Sequence, residues 1–112
     1  MTTIPATTDG QFEKDVLGAP RPVVVEFGAE WCHPCRQLEP ILEDLAGEWK
    51  GKVDFFQIDV DANSATTVRY GVLGVPTLVL FKDGADVDRL TGYQPKGRIV
   101  DRLRPHLDLS SA

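Results

Sequence analysis

Two cysteines, and only two, stand in one four-residue window, Cys32-His33-Pro34-Cys35, where the hydrophobic period of the chain changes. Before the window, Val23 to Phe27 is a continuous apolar, β-branched run broken only by Glu26, as in a strand buried on both faces. After it, Leu38, Ile41, Leu42, Leu45, Ala46 and Trp49 recur at three- and four-residue spacing and make one apolar stripe on a helix. A strand therefore hands over to a helix at Cys32. Pro34 suits the first helical positions, where a missing N–H costs nothing. Cys32 then sits where unpaired backbone N–H groups and the positive end of the helix dipole point outward. Both favour the thiolate, the reactive form of the side chain. Cys35 lies on the same face about one turn deeper, close enough to close a disulfide. The arrangement predicts an exposed attacking sulfur and a sheltered resolving one. A bridge over so short a loop adds little as a staple, and two cysteines exclude a disulfide-dense scaffold. Metal binding or redox chemistry remains.

The rest of the chain reads as a mixed α/β domain. Its 112 residues fit one compact domain spanning 1–112, with 1–8 as a loosely attached arm and 109–112 as a frayed tail. Thr8 and Gln11 have capping-box spacing ahead of a short helix carrying Phe12, Val16 and Leu17 and stopping near Gly18. Val53, Phe55, Phe56 and Ile58 mark a second strand, and a short helix over 62–70 should end at Gly71. Thr77 to Phe81 is a third strand, and Lys82-Asp83-Gly84-Ala85 a hairpin turn into a fourth over 87–91. Ile99, Val100, Leu103 and Leu107 mark a terminal helix that Pro105 bends or ends, while Pro40 should kink the long helix. The result is a central mixed sheet with helices on both faces.

Charge excludes some functions. The formal net charge is −5 with 26% charged residues of both signs, which argues against a phosphate-backbone partner and so against nucleic acid. No apolar stretch is long enough to span a bilayer, and the N-terminus lacks the basic and apolar regions of a secretory signal, so a cytoplasmic location is expected. Cys32, His33 and Cys35 could ligate zinc, but three ligands in four residues cannot easily face one ion, and no second Cys/His pair completes a site. His106 reads as a surface or capping residue. Asp59-Val60-Asp61-Ala62-Asn63 echoes a calcium loop, but Ser64 and Tyr70 replace the turn glycine and closing glutamate. Glu43-Asp44 reads as a solvated helix face.

The segment Phe27-Gly28-Ala29-Glu30-Trp31-Cys32-His33-Pro34-Cys35 resembles the active-site motif of the thioredoxin family. Pro40, Gly71, Gly74-Val75-Pro76-Thr77, Phe81-Lys82-Asp83-Gly84 and Gly92 also fall where that family has counterparts, so the resemblance runs from about Phe12 to Leu107. It implies a thioredoxin fold and a thiol–disulfide oxidoreductase with Cys32 as nucleophile and Cys35 as resolving thiol. It implies a cis bond before Pro76, where an ordinary proline would open the strand in trans. It also implies a docking surface from Trp31, Gly74, Val75, Pro76 and Gly92, although Trp31 could instead be core. The expected partners are client proteins carrying disulfides and a thioredoxin reductase as electron donor, with the chain acting as a monomer. No metal, flavin or nucleotide site is visible and no cofactor is expected, so electrons must come from another protein.

Four positions depart from the family pattern. Glu26 stands where an aspartate is usual as proton acceptor for the resolving thiol. Buried, it should have a raised pKa, unless it bends to solvent or pairs with a lysine. His33 replaces a glycine, and beside Pro34 it should stabilise the Cys32 thiolate and lift the potential above the roughly −270 mV of thioredoxins, unless it is merely solvated. Gly28 replaces an aromatic and should open space by the site, and Gln57 replaces a lysine near the buried carboxylate. The competing functional class is a binding module, a partner subunit or holdase whose thiols are incidental.

Overall fold

The computed structural model describes residues 2–109. Four strands, β1 (Val23–Gly28), β2 (Asp54–Asp59), β3 (Thr77–Lys82) and β4 (Ala85–Thr91), form one sheet in the order β2-β1-β3-β4. β1 is parallel to β2 and antiparallel to β3, with Phe27 opposite both Ile58 and Thr77. The β3–β4 hairpin turns through Asp83 and Gly84 at φ 54° and 80°, the left-handed pair that a tight two-residue hairpin requires. Three α-helices follow the period changes: α1 (His33–Glu48), α2 (Ser64–Arg69) and α3 (Lys96–Leu103), the last continued by a 3-10 turn at Arg104–His106 that contains Pro105. α1 runs through Pro40, which is exposed. A short π-helix at Glu13–Leu17 replaces the expected capped helix, and its N-terminal flank is Phe12 with no side-chain cap. Thr8 instead closes a turn ahead of it, its Oγ accepting the Gln11 N–H at 3.3 Å.

Each face of the sheet has its own core. Alternation along β1 sends Val24 to one side, against Leu38, Leu42 and Leu45 of α1 and Ile99 and Leu103 of α3. Val23, Val25 and Phe27 go to the other side, with Phe12, Val16, Ile58 and Phe81. Phe12, Tyr70 and Phe81 meet there at centroid separations of 5.0–5.6 Å. With both faces covered, β1 is buried from Val23 through Phe27, and Glu26 goes in with its neighbours. Among the described residues no helix is long and apolar enough to cross a membrane.

The N-terminal arm is not loose. Thr7 donates its N–H to the Gln57 carbonyl at 2.8 Å, and Gln57 donates its own to the Pro5 carbonyl at 2.9 Å. Ala6 thus bridges β2 in parallel, and Ile4, 5% exposed, joins the core under α1. The outer edge of β2 would otherwise present unpaired backbone groups, and the arm covers it. Asp9 continues the attachment, its carboxylate accepting from the Thr66 N–H and hydroxyl at 2.9 and 2.6 Å. At the other end Leu109 packs on the core, and the remainder of the expected frayed tail lies outside the described residues. Ile4→Ala should cost about 2 kcal/mol of stability, the low end for emptying a buried isoleucine site. Urea denaturation of the oxidised protein measures it, and a loss under about 0.5 kcal/mol would show that the arm adds no core.

Candidate functional site

β1 ends at Gly28, and four residues later Cys32 takes the N-cap of α1 in extended conformation. The turn between is closed by the Cys32 N–H on the Ala29 carbonyl at 3.1 Å. His33 and Pro34 are the first two helical residues, both exposed. Cys32 and Cys35 are joined as a disulfide with their Cα atoms 5.3 Å apart. The Cys35 N–H, one of those the helix start leaves unpaired, points at Cys32 Sγ from 3.2 Å. The expected contrast of an exposed attacker and a sheltered resolver is not found in this disulfide form: both cysteines are 3% exposed. In this form Cys32 Sγ lies over the first turn and caps the helix.

Beneath the pair lies the one buried carboxylate among the described residues. Glu26 follows Val24 on the α1 side of the sheet, is 4% exposed, and its Oε2 has no hydrogen-bond partner in the protein. It neither bends to solvent nor meets a lysine. Burial first, then the charge of Glu39, raises its pKa from the ordinary 4.5 to about 7. Gln57, its cross-strand neighbour, gives its side-chain amide to the Ile4 carbonyl at 3.0 Å. Gly28 leaves the expected space: a cavity of about 250 Å³ lined by Glu26, Gly28, Cys35, Arg36, Glu39 and neighbouring residues. A Cβ at position 28 would stand 3.2 Å from Cys35 Sγ and 3.4 Å from Glu26 Oε2. A side chain there would press on the Cys35 sulfur and touch the Glu26 carboxyl.

The remaining singled-out residues gather at the same end of the sheet. Thr77 opposite Phe27 sets the Gly74–Pro76 loop beside the end of β1, and the Val75–Pro76 bond is cis. The Pro76 carbonyl accepts the Gly92 N–H at 2.7 Å, and the Gly74 carbonyl accepts the Thr77 hydroxyl at 2.6 Å. Trp31 is 68% exposed and is surface, not core. Its indole N–H donates to Asp61 Oδ2 at 2.7 Å. Sequence reasoning missed that contact and the part of Glu39. The acidic run after β2 held the first signal, since parallel pairing brings it beside the end of β1. His106 lies away from the pair, against Asp88 at 3.0 Å.

Comparison with known proteins agrees with this geometry. A family model described as Thioredoxin matches residues 3–105. The thioredoxin of Staphylococcus haemolyticus is 41% identical over 100 residues, covering 89% of this chain and 94% of that protein. The thioredoxins of Staphylococcus epidermidis and Staphylococcus aureus are each 42% identical with the same coverage.

The raised pKa of Glu26 has a stability consequence. Between about pH 4.5 and 7 the folded chain holds this proton more tightly than the unfolded chain, so stability falls as pH rises through that window and stays lower above it. The full difference is about 3 kcal/mol. Glu26→Gln should therefore gain on the parent by about that much between pH 4 and pH 9, read from urea melts of the oxidised forms. A stability difference constant with pH would contradict the buried, protonated carboxyl.

Proposed function

The chain belongs to the thioredoxin family and is a thiol–disulfide oxidoreductase, and from that premise we propose that it reduces disulfides of client proteins with Cys32 as nucleophile and Cys35 as resolving thiol. The observation that carries the reading is the bonded pair at the start of α1, with a backbone N–H aimed at the leading sulfur. A thiolate at Cys32 attacks one sulfur of the client disulfide, forming a mixed disulfide and releasing the first client thiolate. The Cys35 thiol then loses its proton to Glu26, its sulfur attacks Cys32 Sγ, and the second client thiolate leaves. Two electrons pass to the client and the Cys32–Cys35 bond forms.

The buried carboxyl supports its role because a pKa near 7 suits a group that must both take and give up a proton at neutral pH. Exposed Trp31 and the Gly74–Pro76 loop, with Gly92 behind it, would receive the client segment as an added strand. A thioredoxin reductase would return the electrons, and the chain would work as a cytoplasmic monomer in one domain without a bound cofactor. His33, exposed at the first helical position with Pro34 after it, would tune the pair toward a more oxidising couple.

Insulin reduction with reductase and NADPH tests the assignment. Cys32→Ser should lose all turnover, and Cys35→Ser should accumulate mixed disulfides with clients. Folded Cys35→Ser protein that binds clients without a covalent link would favour the binding-module reading. For the tuning, equilibration with glutathione should place the potential above about −270 mV and His33→Gly should bring it down toward that value. A parent value at or below about −270 mV would remove His33 from the account.

A further inference from the structure

The exchange reaction leaves one half-buried charged side chain of the cavity without a part. Glu39 follows Cys35 by four residues on α1, so it continues the face that carries the resolving sulfur. It is half-buried and lines the same cavity as Glu26 and Cys35. That cavity depends on the missing side chain at Gly28, and its roughly 250 Å³ is room for several waters at about 30 Å³ each. The orphan Glu26 Oε2 supplies a polar partner for such water.

The other charged groups on the walls are all exposed, and two of them are occupied. From α1, Arg36 gives its guanidinium to the Glu30 carbonyl, and from β2, Asp59 Oδ1 accepts the Asp61 N–H at 2.9 Å. Gln57 is neutral and tied to the arm, Glu30 is exposed, and Leu78 closes the β3 side of Glu26 with an apolar surface. Glu39 is the charge that Glu26 feels most.

We propose that Glu39 is the outer half of a two-carboxylate proton path that connects Glu26 to solvent through the Gly28 cavity. The inference rests on the reading of Glu26 as the proton acceptor of the resolving step. When Cys35 attacks Cys32 Sγ, its proton moves to the Glu26 carboxylate, the Cys32–client bond breaks and the client thiolate departs. Glu26, now a neutral acid, passes the proton across cavity water to the Glu39 carboxylate. Glu39 releases it to bulk and Glu26 is again a carboxylate. Cycling in the opposite direction runs the same path inward. Glu39 touches no reacting sulfur; it acts through Glu26 and is a positioning residue.

The test is rapid mixing of the reduced full-length protein with 5,5′-dithiobis(2-nitrobenzoate), where the second phase of thionitrobenzoate release reports the resolving step. In dilute buffer at about pH 6, where Glu26 starts as the acid and must first send its proton out through Glu39, Glu39→Gln should slow that phase about threefold to tenfold, a modest share of the ~10²–10⁴ that a positioned acid–base group supplies. Added formate, small enough to enter the cavity, should restore the rate, and Glu39→Asp should stay close to the parent. A parental rate for Glu39→Gln, or a slowing that formate leaves unchanged, overturns the path. Glu26→Gln separates the two claims. A slowed second phase there leaves Glu26 as the base whatever Glu39 does, whereas a parental rate removes that reading and this inference with it.

Discussion

A helix that begins on a cysteine is the constraint from which the site follows. α1 cannot pair its first N–H groups internally, and Cys32 at the N-cap offers sulfur where most helices offer oxygen. Sulfur accepts weakly when neutral and far better as a thiolate, so the same geometry that caps the helix favours the charged, reactive form. Its position is enforced from both sides: β1 is clamped between β2 and β3, and α1 is fixed to the sheet by Leu38, Leu42 and Leu45. The junction cannot drift without disturbing the core.

The buried carboxylate is the second consequence of this packing. Because β1 alternates under α1, a side chain at position 26 must enter the core, and a carboxylate there stays neutral more readily than it stays charged. Such a group destabilises the fold at alkaline pH, and stability yields to function beside the redox pair. Gly28 belongs to the same compromise. A Cβ there would crowd the Cys35 sulfur and touch Glu26; its absence leaves the carboxyl in contact with a cavity.

The parts of this molecule that could be read from sequence are those written in local period. The change from the Val23–Phe27 run to the Leu38–Trp49 stripe located the redox pair, and the Asp83-Gly84 pair located the hairpin, because each signal is contained in a short stretch. The attachment of the N-terminal arm is not legible in sequence because Ile4 and Thr7 lie among threonines around a single proline with no period, and their order comes from β2, some fifty residues on. Trp31 and Asp61 are thirty residues apart and meet only through parallel pairing of β1 with β2. Cys32 is buried in the disulfide form, and spacing alone does not orient its sulfur. Glu39 carries no signal of its own in the sequence, because the cavity it lines is assembled from β1, α1 and β2 together.

The central claim is that the start of α1 lowers the proton affinity of Cys32. Titrating the thiolate absorbance of the reduced protein, with Cys35→Ser used to assign the first midpoint, measures it directly. The account predicts a Cys32 midpoint at least one unit below the ~8.5 of a free cysteine. A midpoint at or above ~8.5 would contradict it, since the helix start would then be holding a thiol and not a poised nucleophile.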